Sequence, residues 1–253
     1  MRIHKTASEA LQKQIFDRVP KEDVCPLEFE WAVRTLSDTR LRTYRYFSGH
    51  ISPAALSETV GPPLVLTMLR DPRERLRSCY YYWKAGASHA TGAFFDAIRG
   101  LSLLGFLRCP NPIIRRATWN TQARLLAGGQ FGPTDEYRQI VYGPWLGRDD
   151  LAAEAIHALG RYALVGITEL YELSLRRACE LLELGPPPAP ERLNITMAKP
   201  ASYAPPLADP EIVAALDALT DADRAVYQVA RSRLLGEAFS SGIQTGVILP
   251  GIR

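Results

Sequence analysis

No apolar run in this 253-residue chain is long enough to span a bilayer, and no basic-then-apolar leader opens it. The expectation is therefore a cytoplasmic protein with no membrane span. Cysteine is scarce. The four thiols (Cys25, Cys79, Cys109 and Cys179) are far apart and lack paired metal spacing. Cys79 and Cys179 fall on apolar helix faces and read as buried free thiols. The four histidines are scattered, so no metal site is expected. Neither charge sign dominates. A net charge of +3 suits an anionic ligand but is too small to argue for nucleic acid. The Gly-x4-Gly-Lys-Ser/Thr spacing of a Walker loop is missing, which counts against that kind of nucleotide site. Internal repeats and domain linkers are absent too. What is present is ordinary for a globular chain with a sizeable core: 47% hydrophobic and 23% charged residues. Length alone allows one α/β domain or two small ones.

The most informative stretch is 63–83. An apolar run, Leu64 to Leu69, stops at Arg70-Asp71-Pro72, and a helical pattern follows at once. This reads as a buried strand feeding a helix, with a fixed positive charge at the crossing point. Asp71 can cap the helix and Pro72 suits its first turn. Leu76, Cys79, Tyr80 and Trp83 recur at i, i+3, i+4 and i+7, which predicts a buried face. Arg70 and Ser78 remain as polar groups near the strand end, where ligands of open α/β sheets bind, and the pair suits a phosphate monoester. The alternative is an Arg70–Asp71 cap pair with Ser78 merely tolerated in the helix. Arg73, Arg77 and Lys84 share one side of this helix and read as a solvated charged face, or as a surface for an anionic glycan.

Two further segments carry chemistry. Ile3-His4-Lys5-Thr6-Ala7-Ser8 precedes a helix in which Ala10, Leu11, Ile15 and Val19 can face a core. A lysine and hydroxyls ahead of a helix N-terminus form an anion site, because unpaired N–H groups and the macrodipole both favour negative charge. A capped helix with Lys5 in solvent is the alternative. Leu41 to Phe47 alternates and reads as a strand, running into Ser48-Gly49-His50-Ile51-Ser52. His50 would then stand in a glycine turn past a strand end, where it can take a proton from a hydroxyl.

Arg-Asp-Pro-x-x-Arg-x-x-Ser before an aromatic run resembles the 3′-phosphate segment of sulfotransferases that use 3′-phosphoadenosine 5′-phosphosulfate (PAPS). The branch it most resembles contains the heparan sulfate 2-O- and 6-O-sulfotransferases. Lys5, Thr6, Ala7 and Ser8 match that family's 5′-phosphosulfate loop, and Gly-His-Ile-Ser is similar to the segment holding its base. Three departures stand out: Glu9 and Ala10 replace hydroxyl residues, the strand before the loop is cut to Met1-Arg2-Ile3, and Ser48 stands where the 2-O branch has a second histidine. The resemblance implies that Lys5 and the amides of Thr6, Ala7 and Ser8 grip the 5′-phosphosulfate, that Arg70 and Ser78 grip the 3′-phosphate, and that His50 is the base for in-line attack by an acceptor hydroxyl. Lys5 would also neutralise charge on the departing phosphate. The acceptor would be a hydroxyl-bearing small molecule or a glycan. Eukaryotic members carry a membrane anchor, so its lack suggests a bacterial member or a trimmed chain.

The resemblance continues patchily to about Leu235. Residues 85–111 read as an irregular excursion with a helix near 92–99. Ala117 to Ala127 reads as one helix, and its Asn120-Thr121-Gln122-Ala123-Arg124 is similar to an element of the 6-O branch, so Gln122 and Arg124 either line the cleft or form a solvated face. Asp149 to Leu159 is a helix candidate, and Tyr162 to Gly166 a second buried strand. Thr168-Glu169 opens a helix to Leu184. After the breaker at 185–190, Asn194, Thr196 and Lys199 are expected cofactor contacts by resemblance. Pro210 to Leu219 and Thr220 to Phe239 make two closing helices. The expected whole is a single α/β domain over 1–239, a parallel sheet of few strands flanked by helices in a sulfotransferase-like nucleotide-binding fold, with a tail at 240–253. A catalytically degenerate nucleotide-binding or scaffold protein, or a nucleotide phosphotransferase, stays open. Oligomeric state is not legible.

Overall fold

A computed structural model describes residues 1–86, 91–131, 141–142, 149–189 and 209–240. It is mixed α/β and mostly helical. In chain order the elements are α1 (Ser8–Phe16), α2 (Glu30–Val33), α3 (Asp38–Leu41), α4 (Pro53–Val60), β1 (Leu66–Leu69), α5 (Pro72–Gly86), α6 (Ala93–Arg99), α7 (Leu103–Leu107), α8 (Pro112–Thr118) and α9 (Thr121–Leu126). There follow β2 (Gln130–Phe131), β3 (Val141–Tyr142), α10 (Leu151–Ala158), β4 (Leu164–Ile167), α11 (Tyr171–Leu181) and α12 (Pro210–Ser240).

The two strands read from apolar runs are present and pair in parallel, Leu66 opposite Leu164 through Leu69 opposite Ile167. Parallel pairing needs a long crossover, which α5 to α10 supply. Next to β1 lies the extended start of the chain. The Met1 amine donates to the Leu66 carbonyl and the Arg2 N–H to that of Gly49. Single parallel bridges, Phe29 with His50 and Val24 with Tyr46, continue the layer outward. β2 and β3 form a separate antiparallel pair. No described helix is long and apolar enough to cross a membrane.

Three buried clusters hold the elements. One lies around β1 and β4 with α1, α10, α11 and the second half of α12; another joins α5 to α8 with the first half of α12; the third is formed by Cys25, Val33, Leu41, Ile51, Ala55 and Leu56. α12 serves two of them because it bends. Leu216 and Leu219 face the second cluster, and Val226, Tyr227 and Ala230 face the first. Thr220 between them leaves helical geometry (φ −134°, ψ 20°) while its hydroxyl donates back to the Leu216 carbonyl. The expected pair of closing helices is thus present, the two meeting at a break at Thr220, the expected junction.

Four expectations need correction. Leu41 to Phe47 is not a strand: Ser37 caps α3 by accepting from the Arg40 N–H, Leu41 closes that helix, and only Tyr46 makes a bridge. The apolar residues there, Leu41, Tyr44 and Phe47, recur at every third position and pack into the third cluster. The helix expected over 117–127 is broken, because Asn120 takes a left-handed conformation (φ 41°) between α8 and α9. The excursion at 85–111 holds a second short helix, α7, capped by Ser102. Thr168 to Leu170 form a 3-10 turn before α11, which ends at Leu181 rather than Leu184. The tail expected from 240 lies, apart from Ser240, outside the described residues.

Candidate functional site

The opening loop is wound tightly. Lys5 (φ 64°) and Ala7 (φ 58°) both take left-handed backbone without being glycine, a conformation that persists only where surroundings enforce it. The Thr6 and Ser8 hydroxyls enforce it from inside, both donating to the Ile3 carbonyl (2.8 and 3.1 Å). Thr6 is sealed in, main chain and side chain alike. No side-chain hydrogen bond caps α1.

β1 ends against this loop. One Arg70 guanidinium nitrogen donates to the Lys5 carbonyl (3.3 Å). The main chain of Arg70 is gripped by Gln122, whose side-chain oxygen accepts from the Arg70 N–H and whose amide donates to the Arg70 carbonyl, both at 3.0 Å. Asp71 caps α5 as read, accepting from the Glu74 N–H, and its own N–H donates to Glu169. The end of β4 joins them: the Thr168 hydroxyl lies 2.8 Å from the Thr6 carbonyl and 2.9 Å from that of Leu69. Tyr227 donates to the other Glu169 oxygen, which pushes the Tyr227 phenol up after the larger effect of burial. The ends of β1 and β4 and the opening loop are therefore tied at one edge.

Along α5, Glu74, Ser78 and Tyr82 follow Arg70 at four-residue spacing and form one stripe. Ser78 is buried, and its hydroxyl has no hydrogen-bond partner among the described residues. The Lys5 ammonium sits over the Tyr82 ring, 4.5 Å from its centroid. Burial lowers the Lys5 pKa, Cys79 opposes this, Arg70 adds to the lowering, and Glu9 opposes it. The Glu74 carboxylate pairs with Arg77 and lies 3.9 Å from Arg70, so the stripe carries a negative charge between Arg70 and Ser78.

His50 reaches the same edge by a route the sequence did not give. It sits in the bridge to Phe29 rather than past a strand end, and it is buried. Gly49 before it runs so close to the Glu28 backbone that a Cβ would stand 2.0 Å from the Glu28 oxygen. His50 Nδ1 lies 3.0 Å from the Arg2 carbonyl. A carbonyl only accepts, so Nδ1 carries a proton at this contact. His4 stacks on this ring, centroids 4.0 Å apart, and Phe29 lies at 5.8 Å in near-parallel orientation.

Lys5, Thr6, Ala7, Ser8, His50 and Arg70 thus come to one edge, with Ser78 on the helix beneath. Asn194, Thr196 and Lys199 lie outside the described residues. Of Arg73, Arg77 and Lys84, the buried Arg77 takes no part in a solvated face, while Arg73 and Lys84 stay partly exposed and are each engaged by the protein. Arg73 grips Asp217 with two bonds (2.6 and 2.8 Å), Arg77 is buried against Glu74, and Lys84 donates to the Arg99 and Leu101 carbonyls. Gln122 and Arg124 form no solvated face: both are buried, Gln122 as the clamp on Arg70 and Arg124 against the Arg116 carbonyl and the Trp119 ring. Burial pulls the Arg124 guanidinium down to about 10. Sequence reasoning missed His4, Thr168, Tyr82 and the tether function of Gln122. Only Thr168-Glu169, just after a strand, gave a usable signal. No cluster of metal-ligating side chains occurs among the described residues. Comparisons with protein families, curated proteins and solved structures find no match.

Proposed function

We propose that this chain is a cytoplasmic PAPS-dependent sulfotransferase whose acceptor is a hydroxyl, the best candidate class being a carbohydrate. One observation carries the reading: the Lys5 loop and the Arg70 strand end, read separately as the two anchors of one nucleotide, touch each other at the end of a parallel strand pair. The donor set suits a ligand with an anionic group at each end. Lys5 and the uncapped N–H groups of α1 would hold the 5′ end, and Arg70 with the Ser78 hydroxyl would hold the 3′-phosphate. The four thiols are free, which suits a reducing compartment.

PAPS would supply an activated sulfuryl group. The chain's own part is then to hold and to move one proton. The Arg2 carbonyl fixes the His50 tautomer, and Nε2 accepts the proton of the acceptor hydroxyl. Lys5 and Arg70 place two positive charges at the edge where anionic oxygens would lie, fixed before the ligand arrives.

Thermal-shift titration separates the readings. Stabilisation that grows with 3′-phosphoadenosine 5′-phosphate, and not with ATP, supports the proposal; a response to ATP alone would point to a phosphotransferase. Arg70→Ala should weaken the nucleotide. His50→Ala should lower turnover by roughly 10²–10⁴-fold while sparing nucleotide affinity. Unchanged turnover in that variant removes His50 as base. The inward-turned Thr6 and Ser8 hydroxyls and Glu9 in the first turn of α1 favour, as second reading, a nucleotide-binding protein that no longer turns over. Binding without transfer to any acceptor would select it.

A further inference from the structure

α5 carries four consecutive aromatic residues, and three of them have packing partners within the helical layer. The Tyr80 hydroxyl donates to the Leu101 carbonyl, Tyr81 packs on Tyr80, and Trp83 packs against Phe94 and Phe106. Tyr82 is different. It is 42% exposed, and among the described residues its one aromatic or cation contact is the Lys5 ammonium over its ring. The Lys5 main chain is fixed by its left-handed φ and by the Arg70 guanidinium on its carbonyl, so the side chain is directed along the α5 stripe. Among the described residues no carboxylate lies within salt-bridge distance of Lys5 Nζ, and no oxygen accepts a hydrogen bond from it. A ring face restrains an ammonium without occupying its N–H donors and without cancelling its charge, whereas a carboxylate would do both. Partial desolvation, which lowers the Lys5 pKa, is consistent with an amine held against the helix rather than free in water.

We propose that Tyr82 is a positioning residue that seats the Lys5 ammonium over α5, so that its three N–H donors face an anionic phosphoryl group entering over the strand ends. The inference rests on the anion-site reading of the Lys5 loop. It adds a residue outside both nucleotide-gripping segments as the one that limits the lysine's freedom. Lysine otherwise loses much rotamer entropy on binding, and a preformed seat removes part of that loss from the binding step.

Tyr82→Phe keeps the ring face and Tyr82→Leu removes it. The position is exposed enough for both variants to fold, which circular dichroism checks. In carbon–proton NMR spectra the Lys5 ε-methylene signal, assigned by its loss in Lys5→Gln, should be displaced upfield by the ring current in wild type and Tyr82→Phe. It should return to the free-lysine position in Tyr82→Leu. In calorimetry, Tyr82→Leu should weaken inorganic pyrophosphate and 3′-phosphoadenosine 5′-phosphate about two- to five-fold, the range expected of an exposed cation–π contact, and Tyr82→Phe should match wild type. An ε-methylene signal indifferent to Tyr82→Leu overturns the seat. A signal that moves while both affinities stay at wild-type values overturns the positioning role. Pyrophosphate binding that depends on Tyr82, with no gain from the adenosine and 3′-phosphate, supports Tyr82 and overturns the nucleotide reading instead. A wild-type protein that binds neither ligand overturns both.

Discussion

Replacing Gln122 tests how the strand end is built. Its side chain acts as a neighbouring strand would, accepting from the Arg70 N–H and donating to the Arg70 carbonyl at 3.0 Å each, from a position 1% exposed. Gln122→Ala removes both partners together. Each main-chain group left unsatisfied in the interior costs about 1–3 kcal/mol. The sum is about 2–6 kcal/mol, and water entering the vacated volume brings the expectation to the lower half, about 2–4 kcal/mol. For a chain of this size that corresponds to a melting point lower by roughly 4–16 °C. Gln122→Met retains the volume and removes only the polar atoms, so it isolates the hydrogen bonds from the cavity. The assay is urea unfolding followed by tryptophan fluorescence, with equal m-values required before stabilities are compared. Arg70 is anchored through this main chain, so nucleotide affinity should fall along with stability. If Gln122→Ala and Gln122→Met both unfold within about 0.5 kcal/mol of wild type, the range of an ordinary surface substitution, the clamp does not hold β1 and the reasoning fails.

Gly49→Ala should destabilise by about 1–3 kcal/mol or more, because the new Cβ would stand 2.0 Å from the Glu28 carbonyl oxygen and the His50 segment must part from it; a thermal melt within a degree of wild type would contradict that packing. Asp223 gives a pH signature. Burial pushes its carboxyl up to about 6 against an ordinary 3.8, so the folded state keeps a proton that the unfolded chain loses between those values. The group's contribution is therefore fully present below about pH 4 and is lost as pH rises through 6, a change on the order of 3 kcal/mol. Asp223→Asn has no such proton, so wild type should lose that amount relative to the variant between pH 4 and 7.5 in denaturant unfolding; a pH-independent difference would refute it.

Elements defined by local pattern were legible. The apolar runs at 64–69 and 162–166 gave the two parallel strands, and the i, i+3, i+4, i+7 spacing of Leu76, Cys79, Tyr80 and Trp83 gave the buried face of α5. The Asp71 cap and the junction at Thr220 were local too. Elements defined by distant partners were not. Leu41 to Phe47 has the alternation of a strand, but its apolar residues face a small cluster around α2 to α4 rather than a sheet neighbour. Asn120 breaks a helix that its neighbours favour, because its N–H donates to the Leu219 carbonyl and its side chain bonds to Asp221 and to the Asp223 N–H, 101 to 103 positions along. The stack of His4 on His50 joins the opening loop to the segment bridged to Phe29, and no spacing within one segment encodes it. In the site, the residue types were readable and their duties were not. Arg73 and Gln122 both looked like ligand-facing polar groups, and the fold uses both as internal tethers.

That division of labour bears on how the site can work. Gln122 and Glu169 direct their polar atoms at the main chain where β1 ends, and the Thr168 hydroxyl ties that end to the Thr6 carbonyl between the left-handed Lys5 and Ala7. The Arg70 guanidinium belongs to both groups: it donates inward to the Lys5 carbonyl and has Glu74 at salt-bridge distance. A phosphate arriving at Arg70 must compete with Glu74 for its charge, and any shift of the guanidinium is felt at the Lys5 carbonyl. The two anchors are therefore mechanically coupled rather than independent. Arg70→Lys, which keeps the charge but loses the fork that spans both contacts, should weaken pyrophosphate at the Lys5 end as well as the 3′-phosphate at its own. Pyrophosphate affinity unchanged in Arg70→Lys would mean that the anchors act separately and that Lys5 owes its position to α1 and Tyr82 alone.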